Sequence, residues 1–281
     1  MEQKPTFIGV GGHKCASTWM SECLREHPSV FMSDPKEIGY FTLNFKKGLE
    51  WYLDFFKDAK SFKEKGEFSA TYLYNAEIPN KIMDQLGPVK IICLVRNPIE
   101  RTISHLKQLN RKNVLKLNSN KFSLKELYDV EEKFPDIINY SLYKEGIMNY
   151  QKTFGKENVL ILDQSHLKKN SDGVLKILFN FLEIDSYNLK TSSQIISKGI
   201  VPKYKVLEKI RIKTYDFLYH NNPSMISFIK KMKIGEFYRK INNKESSNSF
   251  TLDNECIQYL ENKFKEDWKK TLLLTHKVHE V

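Results

Sequence analysis

The stretch TFIGVGGHKCASTWM, residues 6–20, constrains this chain more than any other. Its apolar start, Thr6 to Val10, reads as a strand covered on both faces, because such strands are near-continuously hydrophobic rather than alternating. Glycines 9, 11 and 12 then form a turn. After it Trp19, Met20, Cys23 and Leu24 make one stripe of a helix that stops before Pro28. A strand, a glycine turn and a helix gather free backbone N–H groups around one point, and the helix end adds partial positive charge. Gly11 and Gly12 are expected to let the backbone approach an anion without a Cβ in the way. Lys14 supplies a full charge, and Ser17 and Thr18 supply hydroxyl donors. The unit is therefore expected to hold a phosphate. It departs from the triphosphate loop G-x-x-x-x-G-K-[ST], since His13 precedes Lys14 and Cys15 follows it.

Two more apolar runs, Lys90 to Val95 and Asn158 to Asp163, read as buried parallel strands, and Val30 to Met32 and Glu67 to Ser69 are further candidates. Between them lie helical stripes: Leu49, Tyr52, Leu53 and Phe56, and later Val174, Ile177, Leu178, Phe181 and Leu182. Strands alternating with helices predict a doubly wound α/β sheet, in which ligands sit beyond the carboxyl ends of the strands. Residues 111–120 and 241–249 read as exposed loops, and residues 203–250 as a helical and loop segment of one domain spanning 1–281. The last helix carries Leu260, Phe264, Trp268 and Leu272, expected to pack on the sheet.

Of 281 residues, 41% are hydrophobic and 12% aromatic, which is ample for a core and excludes a disordered chain. No run approaches a membrane span and the first residues carry no apolar signal region, so a soluble, cytoplasmic protein is expected. The four cysteines, 15, 23, 93 and 256, lack paired spacing and read as reduced thiols. No His or Cys cluster has zinc-ligand spacing, so no metal is expected. The net charge of +11 describes either a solvated lysine-rich surface or a field that gathers an anionic cofactor or substrate. No nucleic-acid-binding motif accompanies it, so nucleic acid is not the expected partner.

A second signature is CLVRNPIERTISHL, residues 93–106. Arg96 closes a strand at the ligand edge, where its guanidinium can grip a phosphate. Asn97 is placed to cap the next helix, Pro98 fits its first position, and Glu100 stands where a capping box wants it.

Together these residues resemble the sulfotransferases that use 3′-phosphoadenosine 5′-phosphosulfate, a P-loop-NTPase-like three-layer α/β sandwich with a central parallel sheet flanked by helices. Their K-x-G-[ST]-T core is matched by Lys14-Cys15-Ala16-Ser17-Thr18, with Ala16 in place of glycine in what is expected to be the first helical turn. The R-[DN]-P-x-x-R-x-x-S pattern implies that Arg96 and Ser104 bind the 3′-phosphate, with Arg101 structural. KEIGYF, residues 36–41, is similar to a stretch of the heparan sulfate branch that carries the general base, which implies Glu37 in that role; His13 and His105 are alternative bases. By the same resemblance Gly12, His13, Lys14, Cys15, Ala16, Ser17, Thr18 and Trp19 line the 5′-phosphosulfate site, with Lys14 also stabilising the leaving phosphate. Tyr143 is implied to contact adenine, and Lys198 and Gly199 to fold over the 3′-phosphate. GEFSATYLYN, from Gly66, matches an E-x-S-x-x-Y stretch, with Phe68 where some members carry a functional lysine. The acceptor implied is a glycan or a small hydroxyl or amine compound, and oligomeric state is not legible. Two other readings stand beside this one: a P-loop kinase or NTPase, supported by Asp163 at the end of VLILD, and a non-catalytic basic module for nucleic acid or an anionic glycan.

Overall fold

The structure is a computed structural model that describes residues 3–111, 114–115, 121–191, 200–204, 206–207, 210–211, 213–214, 217–218, 238, 241–245 and 251–276. The chain divides into two compact units: Met1–Gln194 with Phe250–Val281, and Ile195–Ser249.

The first unit is built on five parallel strands, β1 (Phe7–Gly11), β2 (Val30–Met32), β3 (Glu64–Phe68), β4 (Lys90–Val95) and β6 (Val159–Asp163), in the order β2-β3-β1-β4-β6. The strand expected at Glu67–Ser69 begins three residues earlier and ends at Phe68. Its polar letters hid its start: Glu64 and Glu67 are both buried. The helices of this unit are α1 (Ser17–Glu26), α2 (Leu49–Leu53), α3 (Ile78–Leu86), α4 (Pro98–Arg111), α5 (Leu124–Lys133), α6 (Asp136–Asn139), α7 (Lys144–Phe154), α8 (Gln164–Lys169), α9 (Ser171–Leu182) and α10 (Asn254–Leu272). The stripe from Leu49 ends in a tighter turn, Asp54–Phe56, rather than in one continuous helix.

Where β1 meets β3, Phe7 lies opposite Gly66 and Phe68 opposite Gly9. A Cβ on Gly9 would stand 2.3 Å from the Phe68 ring, and one on Gly66 2.3 Å from the Phe7 ring. Each glycine is the floor on which the facing aromatic lies, so any side chain there would force the strands apart.

The last helix corrects its expected partner. Its buried residues are Cys256, Leu260, Phe264 and Thr271, while Leu272 is exposed. Leu260 and Phe264 join Leu106, Phe122, Leu127, Ile137 and Leu252 in a core between helices, so α10 packs on α4 and α5 rather than on the sheet. Two-residue strands, β5 (Lys121–Phe122) and β9 (Thr251–Leu252), pair in parallel to bring it there. Beyond α10 the chain returns to the edge strand: His276 N–H donates to Ile161 O at 2.9 Å, covering part of the edge of β6.

In the second unit β7 (Ile200–Pro202) pairs antiparallel with β8 (Asn243–Glu245), so part of the expected loop 241–249 is a strand. The polar composition misleads because Asn242 is fully buried with its Oδ1 accepting from Tyr204 N–H at 2.6 Å.

Candidate active site

The chain leaves β1 towards β2 on one side and leaves β4 towards β6 on the other. The carboxyl ends of these adjacent strands therefore form the topological switch point at which an open α/β sheet binds its ligand. The glycine turn follows β1, and Arg96 follows β4. Gly12 N–H donates to Leu94 O at 2.5 Å, closing the turn onto β4.

Gly11 and Gly12 are also closely packed against neighbouring protein atoms. A Cβ on Gly12 would meet the Tyr74 hydroxyl at 2.9 Å and Leu94 O at 3.0 Å; one on Gly11 would meet Leu73 Cβ at 2.7 Å. What shapes the loop is backbone sign. Lys14 and Ala16 both have left-handed φ, 68° and 71°, on either side of Cys15. Such alternation turns successive N–H groups to one side, as anion-binding backbone nests require. Ala16 is thus the residue before the helix and not part of its first turn. An L-residue there costs about 1–2 kcal/mol that glycine would not incur.

The loop's own side chains divide between inside and outside. Cys15 is fully buried, its Sγ 3.6 Å from the Tyr143 hydroxyl, and burial pushes its thiol up to about 11, so it stays protonated at neutral pH. Ser17 and Trp19 are buried at the start of α1, and Thr18 is exposed. Ala16 offers no side-chain acceptor, and the first helical bond runs from Met20 N–H to Ala16 O. The N–H groups of Ser17, Thr18 and Trp19 precede it and are the helix-end donors available to an anion. His13 donates its backbone N–H to the Tyr74 hydroxyl at 3.2 Å, and its ring meets that of His105 edge-on at 4.6 Å.

Arg96 is four-fifths buried and reaches back across the switch point, its Nη1 donating to Lys14 O at 3.4 Å. Its Nε and Nη2 hold Glu100 at 3.2 and 3.1 Å. Asn97 does cap α4, accepting from Ile99 and Glu100 N–H, but the second half of the expected capping box is absent because the Glu100 carboxylate turns to Arg96 instead. Ser104 lies half-buried eight residues along, on α4. Tyr143 is fully buried and meets the loop from inside the fold, donating its hydroxyl to Arg96 O at 3.0 Å. Arg101 is fully buried and donates to Ile137 O at 2.5 Å, tying α4 to α6. Lys198 and Gly199 lie outside the described residues. The Asp163 carboxylate caps α8, accepting from Ser165 N–H at 2.9 Å. Phe68 is wholly buried over Gly9.

Glu37 is half-exposed and pairs with Lys36, whose Nζ stands 2.9 Å from Glu37 Oε1 and 3.1 Å from Ser17 Oγ. Lys36 was not singled out from sequence, yet its ammonium joins the candidate base to the first residue of α1. The only sequence signal was its place ahead of Glu37, where it reads as one half of a surface pair. Its side chain is 18% exposed, which a surface pair does not explain.

Among the described residues no His, Cys, Asp and Glu cluster could hold a metal, and no helix is long and apolar enough to cross a membrane. All four cysteines are buried and unpaired.

Comparison with known proteins follows the same lines. The family model described as "Sulfotransferase domain" matches residues 4–272. The membrane-associated sulfotransferase kil1 of Dictyostelium discoideum is 32% identical over 103 residues, 36% of this chain and 22% of that protein. The mouse heparan sulfate glucosamine 3-O-sulfotransferase 5 is 27% identical over 200 residues, 67% of this chain and 57% of that one. The mouse bifunctional heparan sulfate N-deacetylase/N-sulfotransferase 2 is 25% identical over 203 residues, 66% and 23%. The chain thus spans between 22% and 57% of the length of these relatives. A sulfotransferase from Alicyclobacillus acidocaldarius shares the fold, with a TM-score of 0.61 over 68% of this chain and 86% of its own, at 22% identity.

Proposed function

Because this chain belongs to the sulfotransferase family, we propose that it transfers a sulfuryl group from 3′-phosphoadenosine 5′-phosphosulfate to a hydroxyl or amine of a carbohydrate. The observation that carries this reading is the bridge made by Lys36: one ammonium touches both Ser17, at the anion-binding helix end, and Glu37, the candidate base. Donor site and acceptor base then lie side by side, as in-line transfer needs.

The residues present fit the donor. The left-handed Lys14–Ala16 turn and the first N–H groups of α1 suit the 5′-phosphosulfate, and Arg96, poised over the loop on Lys14 O, suits the second phosphate once it releases Glu100. The donor supplies the sulfuryl group and leaves as 3′-phosphoadenosine 5′-phosphate. Lys14 neutralises the bridging oxygen as its bond to sulfur breaks, and Glu37 takes the proton that the acceptor loses as its oxygen or nitrogen bonds sulfur. Lys36 holds Glu37 aimed until the acceptor replaces it. Charge that magnesium supplies in phosphoryl transfer comes here from Lys14, Lys36 and backbone amides.

A carbohydrate acceptor is supported by the heparan sulfate relatives named above. The buried, unpaired thiols support a reducing compartment such as the cytoplasm. Incubation with radiosulfur-labelled donor and heparan oligosaccharides, some with free amines and some N-acetylated, is expected to label the glycan. Label found only on phenolic or peptide-tyrosine acceptors would remove the carbohydrate from the reading.

A further inference from the structure

The E-x-S-x-x-Y stretch has a use that the transfer reaction leaves unassigned. Glu67, at the carboxyl end of β3, is fully buried. Its carboxylate accepts four hydrogen bonds: from Ser69 Oγ at 2.6 Å, Tyr52 Oη at 3.0 Å, Tyr72 Oη at 3.1 Å and Ile38 N–H at 3.2 Å. Two of these donors pass the grip onward. Ser69 Oγ accepts from Gly39 N–H at 3.1 Å, and Tyr72 Oη accepts from Phe41 N–H at 3.2 Å. Three backbone N–H groups in the four residues after Glu37 therefore end on one carboxylate, directly or through one hydroxyl. On the other side, Phe68 N–H donates to Lys36 O at 3.0 Å. Glu37 is thus flanked on both sides by backbone that β3 and its following turn hold.

We propose that Glu67 is a positioning residue: with Ser69 and Tyr72 it fixes the backbone of residues 38–41 and so holds the Lys36–Glu37 pair against the first turn of α1. The geometry asks for a carboxylate. Four donors converge on two oxygens, and an amide at this place would turn one N–H toward groups that already donate. Burial raises the Glu67 carboxyl to about 7 against the pull of its donors, so the network is a costly one to keep unless the placement it gives is used. Gly39, with φ of 63°, makes the turn that brings these N–H groups round to Glu67.

This inference rests on Glu37 acting as the base of the proposed transfer, and its test separates the two. Glu67→Gln keeps the volume of the side chain. It is expected to lower kcat roughly 10- to 100-fold, as a displacement of about 1 Å does, while affinity for 3′-phosphoadenosine 5′-phosphate stays within about twofold. In a Glu37→Gln background the same change should cost little more, since both act through one base. Tyr72→Phe and Tyr52→Phe each remove one hydroxyl from Glu67, but only Tyr72 reaches the Phe41 N–H. Tyr72→Phe should therefore lower kcat and Tyr52→Phe should not. Equal effects of the two tyrosine changes, or fully multiplicative losses with Glu37→Gln, would overturn the proposal. Amide exchange at Ile38, Gly39 and Phe41 gives a readout without turnover: it should speed up in Glu67→Gln, and unchanged exchange overturns the positioning role even if the wild-type chain transfers no sulfuryl group.

Discussion

Glu37→Gln should reduce kcat by about 10²- to 10⁴-fold, the range that a positioned proton acceptor contributes. The side chain keeps its size and remains able to accept from Lys36 at the 2.9 Å seen in the structure, so the fold and the donor site should be undisturbed. The loss should accordingly fall on kcat, with donor affinity unchanged, the pattern of a group that acts only in the transition state. A half-exposed Glu beside a Lys is most simply a surface ion pair, worth no more than about 1 kcal/mol and nothing in rate. Steady-state transfer to a glycan acceptor, measured for both proteins, separates these accounts. A change of less than about twofold returns Glu37 to the surface and moves the search for a base to His13 and His105.

Lys14→Ala should cost a comparable amount for a different reason. Charge gathers on the bridging oxygen only as the sulfur–oxygen bond breaks, so a cation there stabilises the transition state more than the bound donor. Removing one such preorganised group costs about 10²- to 10³-fold in kcat. Lys14→Arg should recover little, because a planar fork of donors does not replace a compact point charge in a loop closed onto β4 by the Gly12 bond. Thermal stability should hardly move, since alanine at φ of 68° meets the same backbone cost as lysine. Equal losses in donor affinity and in kcat/KM, with kcat intact, would make Lys14 a binding residue only.

The parts of this site that were legible in the sequence are those set by local pattern. An apolar run ended by glycines gave β1 and the loop, and RNP after a second run gave the end of β4 and the cap of α4. The switch point then follows from strand order, which brings Arg96 over the loop. What escaped depended on partners distant in sequence or on competition between near ones. Glu100 suited a capping box, but Arg96 one turn earlier offers it a charge, and the charge wins. The polar letters of EKGEF concealed where β3 starts, because burial of Glu64 and Glu67 rests on partners distant in sequence, Thr6 for the first and Tyr52 and the Ile38 N–H for the second, which no local pattern announces. Ala16 looked like a helical residue because its left-handed φ has no sequence mark when glycine is not used. The stripe of α10 showed which residues are buried at its start but not that helices, rather than the sheet, bury them.

The central claim is that the loop and Arg96 together select a nucleotide with a 3′-phosphate. Calorimetric titration with 3′-phosphoadenosine 5′-phosphate, set against adenosine 5′-diphosphate with magnesium, tests it most directly in the wild type and in Arg96→Ala. Magnesium-independent binding of the 3′-phosphate compound, weakened by roughly 10- to 100-fold in Arg96→Ala as loss of a charge-assisted pair would give, is the predicted result. Preference for the diphosphate with magnesium, or equal binding of the 3′-phosphate compound by both proteins, would contradict it.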